Sequence, residues 1–158
     1  SFFNSHRFMI SCYKSPVRDI VVECIDDVII SATLLDKATT QGTDNQSVVD
    51  FFDAYFNREW KPEVISFEQE GTDFEQHIWS IIQAIPFGST KTYKQIAMQI
   101  GDEKYSRAVA NAVGKNKLAI IVPCHRVVGT AGDLRGFAWG IARKKWLLDF
   151  ESGQQNLF

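Results

Sequence analysis

The chain is poor in cysteine and has no long apolar run. Only Cys12, Cys24 and Cys124 occur in its 158 residues. An odd count without framework spacing excludes a disulfide scaffold and points to reduced thiols in a reducing compartment. No Cys-x-x-Cys pair occurs, and His6, Cys12, Cys24 and His77 share no ligand spacing typical of structural zinc, so no metal is expected. No stretch approaches the roughly 18 apolar residues of a membrane span, and no basic, apolar leader opens the chain. The expectation is a soluble protein without membrane contact, cytoplasmic or, in a eukaryote, nuclear. Internal repeats and low-complexity tracts are also missing, which excludes a repeat architecture.

What is present suffices for a core. Hydrophobic residues make up 45% and aromatics 13%, enough for one domain or two small ones. The net charge of −2 hides an asymmetry. Residues 1–85 carry 6 Lys/Arg against 14 Asp/Glu, and residues 86–158 carry 11 against 5. The halves thus stand at −8 and +6, so the basic half is the side that would meet a polyanion.

In chain order, residues 19–25 and 28–35 are β-branched and join through Asp26-Asp27, which predicts an antiparallel hairpin. Polar residues 37–47 read as a loop. Ser47 is placed to cap a helix with Val48, Val49, Phe51, Phe52, Tyr55 and Phe56 on its apolar face, ended by Trp60 and Pro62. Residues 61–71 are the expected boundary, giving domains 1–66 and 67–158. Thr72 and Glu75 have capping-box spacing before a helix whose inward face is Phe74, Ile78, Ile81, Ile82 and Ile85. Thr92 and Gln95 repeat that spacing, and Gly101 stops the second helix. Ser106 is placed to cap a third, with Val109 and Val113 inward. Two short helices about a tight turn predict a helix-turn-helix. Glycines 129, 132 and 136 mark a flexible loop. The last helix, 141–151, places Ile141, Trp146, Leu147 and Phe150 on its apolar side and Arg143, Lys144 and Lys145 toward solvent or DNA. The tail from Ser152 reads as loose. The fold class is therefore an α/β N-terminal domain (small antiparallel sheet plus helix), then a mostly helical C-terminal domain with a helix-turn-helix.

The chemistry concentrates at residues 119–129. Ala119-Ile120-Ile121-Val122 reads as a short buried strand stopped by Pro123. Cys124, His125 and Arg126 follow, where the strand would give way to a loop. A thiolate is the reactive form of cysteine, and neighbouring bases and cations lower its pKa. His125 can take the thiol proton or relay it through water, and Arg126 is expected to add positive charge beside it.

The run Pro123-Cys124-His125-Arg126-Val127 resembles the active-site signature of the O6-alkylguanine-DNA alkyltransferases, or methylated-DNA–protein-cysteine methyltransferases. The likeness runs from about Phe74 to Glu151 and is loose before that. It implies nucleotide flipping followed by stoichiometric transfer of the alkyl group of O6-alkylguanine, and of O4-alkylthymine, to Cys124, with no cofactor. It also implies a monomer acting on double-stranded DNA. Cys124, His125, Glu151 and Tyr93 are the catalytic candidates, with a Cys124–water–His125–Glu151 chain and a Tyr93 hydroxyl donating to guanine N3. Backbone at Cys124, Val127 and Ala138 would hold the base, and Trp139 would stand at the pocket wall where some relatives carry Gly. The helix with Arg107, Ala108, Asn111, Ala112 and Lys115, together with Thr92, would lie in the minor groove, Arg107 filling the vacated stack. Asn116 would tie this helix to the active-site loop.

Most side chains of that helix are too short to read major-groove edges, which favours sequence-independent binding held by phosphates. Three other readings stand beside this one. A cysteine hydrolase takes its Cys and His from distant segments and needs an oxyanion hole. An alkyltransferase-like lesion binder keeps the fold but lacks the cysteine. A helix-turn-helix regulator would bind one DNA sequence.

Overall fold

The computed structural model describes residues 6–38, 42, 44–134 and 136–153. It divides into two compact units, residues 1–69 and 70–158. In the first, β1 (Phe8–Ser15), β2 (Arg18–Ile25) and β3 (Val28–Leu35) form an antiparallel sheet in that order. Asp26 and Asp27 both take positive φ, as a two-residue hairpin turn that follows strand twist requires. The sequence hairpin is β2–β3. β1 was not foreseen, because Phe8 is exposed and Ser11, Cys12 and Lys14 dilute the β-branched pattern. Residues 66–68 run beside β3, with Ile29 N donating to Ser66 O and Glu68 N to Ile29 O.

Helix α1 (Gln46–Phe56) carries Val48, Phe51, Phe52 and Tyr55 into this unit's core with Ile20, Val22, Ala32 and Leu34. Each such large apolar side chain contributes roughly 1.5–3 kcal/mol when fully buried. The cap is Asn45 rather than Ser47, since the Asn45 side chain accepts from Val48 N. The chain leaves the helix at Asn57 and turns at Arg58, ahead of Trp60 and Pro62.

The second unit opens with α2 (Asp73–Gln83), and both hydrogen bonds of the Thr72–Glu75 capping box form. Ile78, Trp79, Ile81, Ile82 and Ile85 are buried, but Phe74 in the first turn is exposed. Next come β4 (Lys91–Thr92), α3 (Tyr93–Ile100) and α4 (Ser106–Gly114). The Thr92–Gln95 box is complete, and Gly101 (φ 148°) ends α3. A 3-10 turn, Glu103–Tyr105, links α3 and α4 as a helix-turn-helix. Ser106 is not the cap of α4; its hydroxyl donates back to Glu103 O. β5 (Val127–Val128) pairs parallel with β4, and α5 (Ile141–Ser152) closes the unit. Ile141, expected inward, is exposed at the start of α5. The loop before it contains a 3-10 turn, Thr130–Gly132, with Gly129 N donating to Asp133 O. The tail beyond Gly153, read as loose, lies outside the described residues. No described helix is long and apolar enough to cross a membrane.

Candidate active site

The apolar run before the nucleophile is not a strand. Residues 119–122 form turns, with Ile121 N donating to Ala119 O, Val122 N to Leu118 O and Cys124 N to Val122 O. Ile120 sits at φ 69°, a left-handed value costly for a β-branched residue. The run is apolar because Leu118 to Val122 are all buried, not because it pairs in a sheet.

Asn116 secures this coil. It is buried, donates through Nδ2 to Val122 O (2.9 Å) and Leu118 O (3.3 Å), and accepts at Oδ1 from Leu118 N (3.0 Å). A side chain that brackets five residues from inside replaces the missing ladder bonds. Cys124, His125 and Arg126 then form a buried 3-10 turn, and β5 begins directly after it. Pairing of Lys91 with Val127 and Thr92 with Val128 brings the Tyr93 end of α3 beside this turn.

His125 and Glu151 meet from 26 residues apart, with Nε2 2.5 Å from Oε2. Arg126 also turns to Glu151, Nε donating to Oε1 (2.7 Å) and Nη2 to Oε2 (3.1 Å), while Nη1 donates to Ile85 O (2.7 Å). Arg126 therefore does not point its charge at the thiol as expected. The Glu151 carboxyl is held down at about 2: burial would raise it, but His125 and the Arg126 fork outweigh that. Burial lowers the pKa of His125 below its ordinary value against the pull of Glu151. With Nε2 facing a carboxylate, Nε2 carries the hydrogen and Nδ1 is the free base. Nδ1 has no protein partner among the described residues.

Cys124 is 4% exposed, and burial pushes its thiol up to about 11 despite a hydrogen bond from Asn116 and the nearby charge of Lys144. Lys144 was assigned to solvent or DNA by sequence, yet it is 1% exposed. Its ammonium lies 5.8 Å from the Tyr93 ring centroid, and burial lowers its pKa while Cys124 and Asp133 oppose the change. Helix periodicity alone left Lys144 beside two exposed or half-exposed cations, Arg143 and Lys145. The interruption of the apolar face there was the one available signal.

The remaining candidates divide. Tyr93 and Thr92 are half-buried, and a Cβ on Gly136 (φ 73°) would sit 3.5 Å from the Tyr93 hydroxyl, so Gly136 comes close to that hydroxyl. Ala138 is exposed and Trp139 half-buried, its ring edge-on to Phe137 at 5.3 Å and its carbonyl accepting from Arg143. The Val127 side chain is fully buried. Arg107, Ala108 and Asn111 on α4 and Lys115 at its C-cap face solvent, with Lys115 3.2 Å from Glu75. Ala112 does not join them. It is buried, and its carbonyl accepts from Trp79 Nε1 (2.9 Å), so it packs α4 on α2 rather than facing a groove. No cluster of three His, Cys, Asp or Glu among the described residues could hold a metal.

Comparison with known proteins places this geometry. The family described as "6-O-methylguanine DNA methyltransferase, DNA binding domain" matches residues 73–153. A probable methylated-DNA–protein-cysteine methyltransferase of Acanthamoeba polyphaga mimivirus is 55% identical over 87 residues, 55% of this chain and 58% of that one. The Mycobacterium bovis methyltransferase is 45% identical over 106 residues, 67% of this chain and 64% of its own. The chain thus spans less than two thirds of these two relatives. With the Mycolicibacterium paratuberculosis protein the match is 36% over 145 residues, 87% of this chain and 88% of that one. The crystal structure of Mycobacterium tuberculosis OGT in complex with DNA superposes with a TM-score of 0.81 at 36% identity, covering 92% of this chain and 93% of that one. A buried Cys-His-Glu array behind a helix-turn-helix, and matches of this extent, show that the chain belongs to the methylated-DNA–protein-cysteine methyltransferase family.

Proposed function

We propose that the protein repairs alkylated DNA by moving the alkyl group of O6-alkylguanine, and of O4-alkylthymine, onto Cys124. The observation that carries this reading is the His125–Glu151 pair, which leaves a bare imidazole nitrogen in the turn that holds the thiol. The proton passes from Cys124 Sγ to His125 Nδ1, directly or through water. The thiolate then attacks the alkyl carbon in line; an S–C bond forms, the C–O bond breaks, and its electron pair goes to guanine O6. Tyr93 would donate to N3 of the departing base, with backbone at Cys124, Val127 and Ala138 holding its edge. The thioether is a poor leaving group, so each molecule reacts once.

A base inside the duplex must first be everted, at a cost of a few kcal/mol. Arg107, exposed at the start of α4, is suited to fill the vacated stack. The small exposed residues around it, Ala108 and Ala110, allow backbone to approach a minor groove, with Thr92, Asn111 and Lys115 beside the path. Binding would then depend on phosphates and not on sequence. Neither a lesion binder without chemistry nor a regulator requires the buried Cys124–His125–Glu151 array.

The test is intact mass after incubation with DNA containing O6-methylguanine. A gain of one methylene mass on the unmodified chain, absent in Cys124→Ser, is expected. Because affinity resides in phosphate contacts and α4, Cys124→Ser keeps its DNA binding. Label on the serine variant would instead point to Cys12 or Cys24.

A further inference from the structure

The first turn of α5 runs against its own local chemistry. Its N-cap is Gly140, which has no side chain to offer the free amides, and no acidic residue follows in that turn. The third helical position is where a capping box carries Glu or Gln and where the helix dipole favours an anion. Here it holds Arg143. Such a conflict with local helix physics marks a position with a tertiary duty. Arg143 reaches back out of the helix, and Nη1 donates to Trp139 O at 2.9 Å. Trp139 and Ala138 are the corners of a tight turn that Gly140 N closes on Phe137 O at 3.1 Å. The segment around it is permissive. Gly132, Gly136 and Gly140 all take positive φ, and a Cβ on Gly140 would meet no described atom within 4 Å beyond its chain neighbours. The Trp139 ring meets Phe137 edge-on, within the same turn. From the helix side, Lys144 N donates to Gly140 O at 3.2 Å, and the Arg143 bond is a shorter, charge-assisted link. Gly136, three residues ahead of Trp139, comes close to the Tyr93 hydroxyl, so the turn continues a segment that already adjoins the site.

Resting on the reading of Cys124 as the alkyl acceptor and of this turn as a wall of the lesion pocket, we propose that Arg143 is a positioning residue that sets substrate size. By clamping the Trp139 carbonyl it holds the indole and the Ala138 amide at a fixed distance from the O6 substituent. Discrimination of this kind comes from the clash a site builds against the wrong substrate, and a clash needs a wall that does not yield. Trp139 supplies the bulk, and Arg143 supplies the rigidity. A clamped turn admits a methyl group and excludes a benzyl group; a released turn lets the indole give way. Phosphate binding is a poorer use for a half-buried guanidinium already bonded to a main-chain carbonyl.

The experiment uses the full chain and the free base O6-benzylguanine, which needs no DNA, with peptide mapping to place the benzyl group on Cys124. Arg143→Met removes the donor and is expected to react about tenfold faster, equivalent to ~1.4 kcal/mol and within the worth of one charge-assisted hydrogen bond. In a Trp139→Gly background the same substitution adds no further gain, because no indole is left to release. Transfer from O6-methylguanine in DNA is the control and shows no such gain. An unchanged benzyl rate, an equal change on both substrates, or a fully additive gain in the Trp139→Gly background overturns the proposal. Hydrogen exchange of the Gly140 amide reads the clamp without chemistry. Exchange about tenfold faster in Arg143→Met is expected, and unchanged exchange overturns the proposal. Should that variant not fold, Arg143→Glu, which suits the third helical position but cannot donate, is read by the same measurements. Failure of the unmodified chain to take a methyl group from DNA would sink the repair reading while leaving the exchange readout unmoved.

Discussion

Asn116→Ala strikes the coil that presents the nucleophile. The variant loses the bonds to Leu118 N, Leu118 O and Val122 O, all inside a buried bracket. A typical hydrogen bond contributes about 1 kcal/mol net, but a buried group left without a partner costs about 1–3 kcal/mol. The buried Leu118 amide is stranded, whereas the Val122 and Leu118 carbonyls each lose one of two donors and keep Cys124 N and Val122 N. The long Leu118 carbonyl bond adds less. Together the loss comes to about 2–4 kcal/mol. At about 4–8 °C per kcal/mol for a domain of this size, Tm of the unit comprising residues 70–158 should fall by at least ~8 °C. Calorimetry gives the shift, and hydrogen exchange at residues 118–128 locates it. Asn116→Asp sharpens the test, because it keeps the acceptor but sets a carboxylate against two carbonyls. Its pKa should rise in the folded state, so this variant should gain stability as pH falls and the acid protonates. A Tm loss under ~4 °C with unchanged exchange would refute the bracket.

Three further outcomes are expected. Arg107→Ala should slow repair in duplex DNA more than reaction with a free base or single strand, since only the duplex demands eversion; equal slowing on both would assign Arg107 to folding or general charge. Trp139→Gly should raise reactivity toward free O6-benzylguanine by about tenfold to a hundredfold, matching relief of ~1–3 kcal/mol of overfilling, with methylated DNA as control; no gain would show that Trp139 only packs on Phe137. Acid should destabilise the fold in two stages. His125 is held neutral, so its contribution is present above the ordinary value of 6.5 and is lost as pH falls below it. The Glu151 contribution is present above 4.5 and disappears between 4.5 and about 2. A flat denaturation midpoint between pH 7 and 3 would contradict both.

The features legible in the sequence are those decided within a few residues. Thr72 with Glu75, and Thr92 with Gln95, are capping boxes because each pair closes its bonds inside one helical turn. Asp26-Asp27 makes a hairpin because short polar residues tolerate positive φ there. The run Pro123 to Val127 carried the family resemblance, which the comparisons bear out. Ala119 to Val122 misled, because burial on every side selects the same residues whether the chain is extended or coiled, and only Asn116 and packing chose the coil. Periodicity placed α5 without assigning Lys144 to its inner face, and it did not turn Ala112 toward Trp79. Local spacing did not foresee the two-residue pairing of β4 with β5 or the Arg126 fork on Glu151, and the His125–Glu151 link came only with the family resemblance. Those contacts join segments 25 or more residues apart, and their energy exists only once the core has closed around them, so sequence alone determined which groups are available and tertiary structure decided which of them meet.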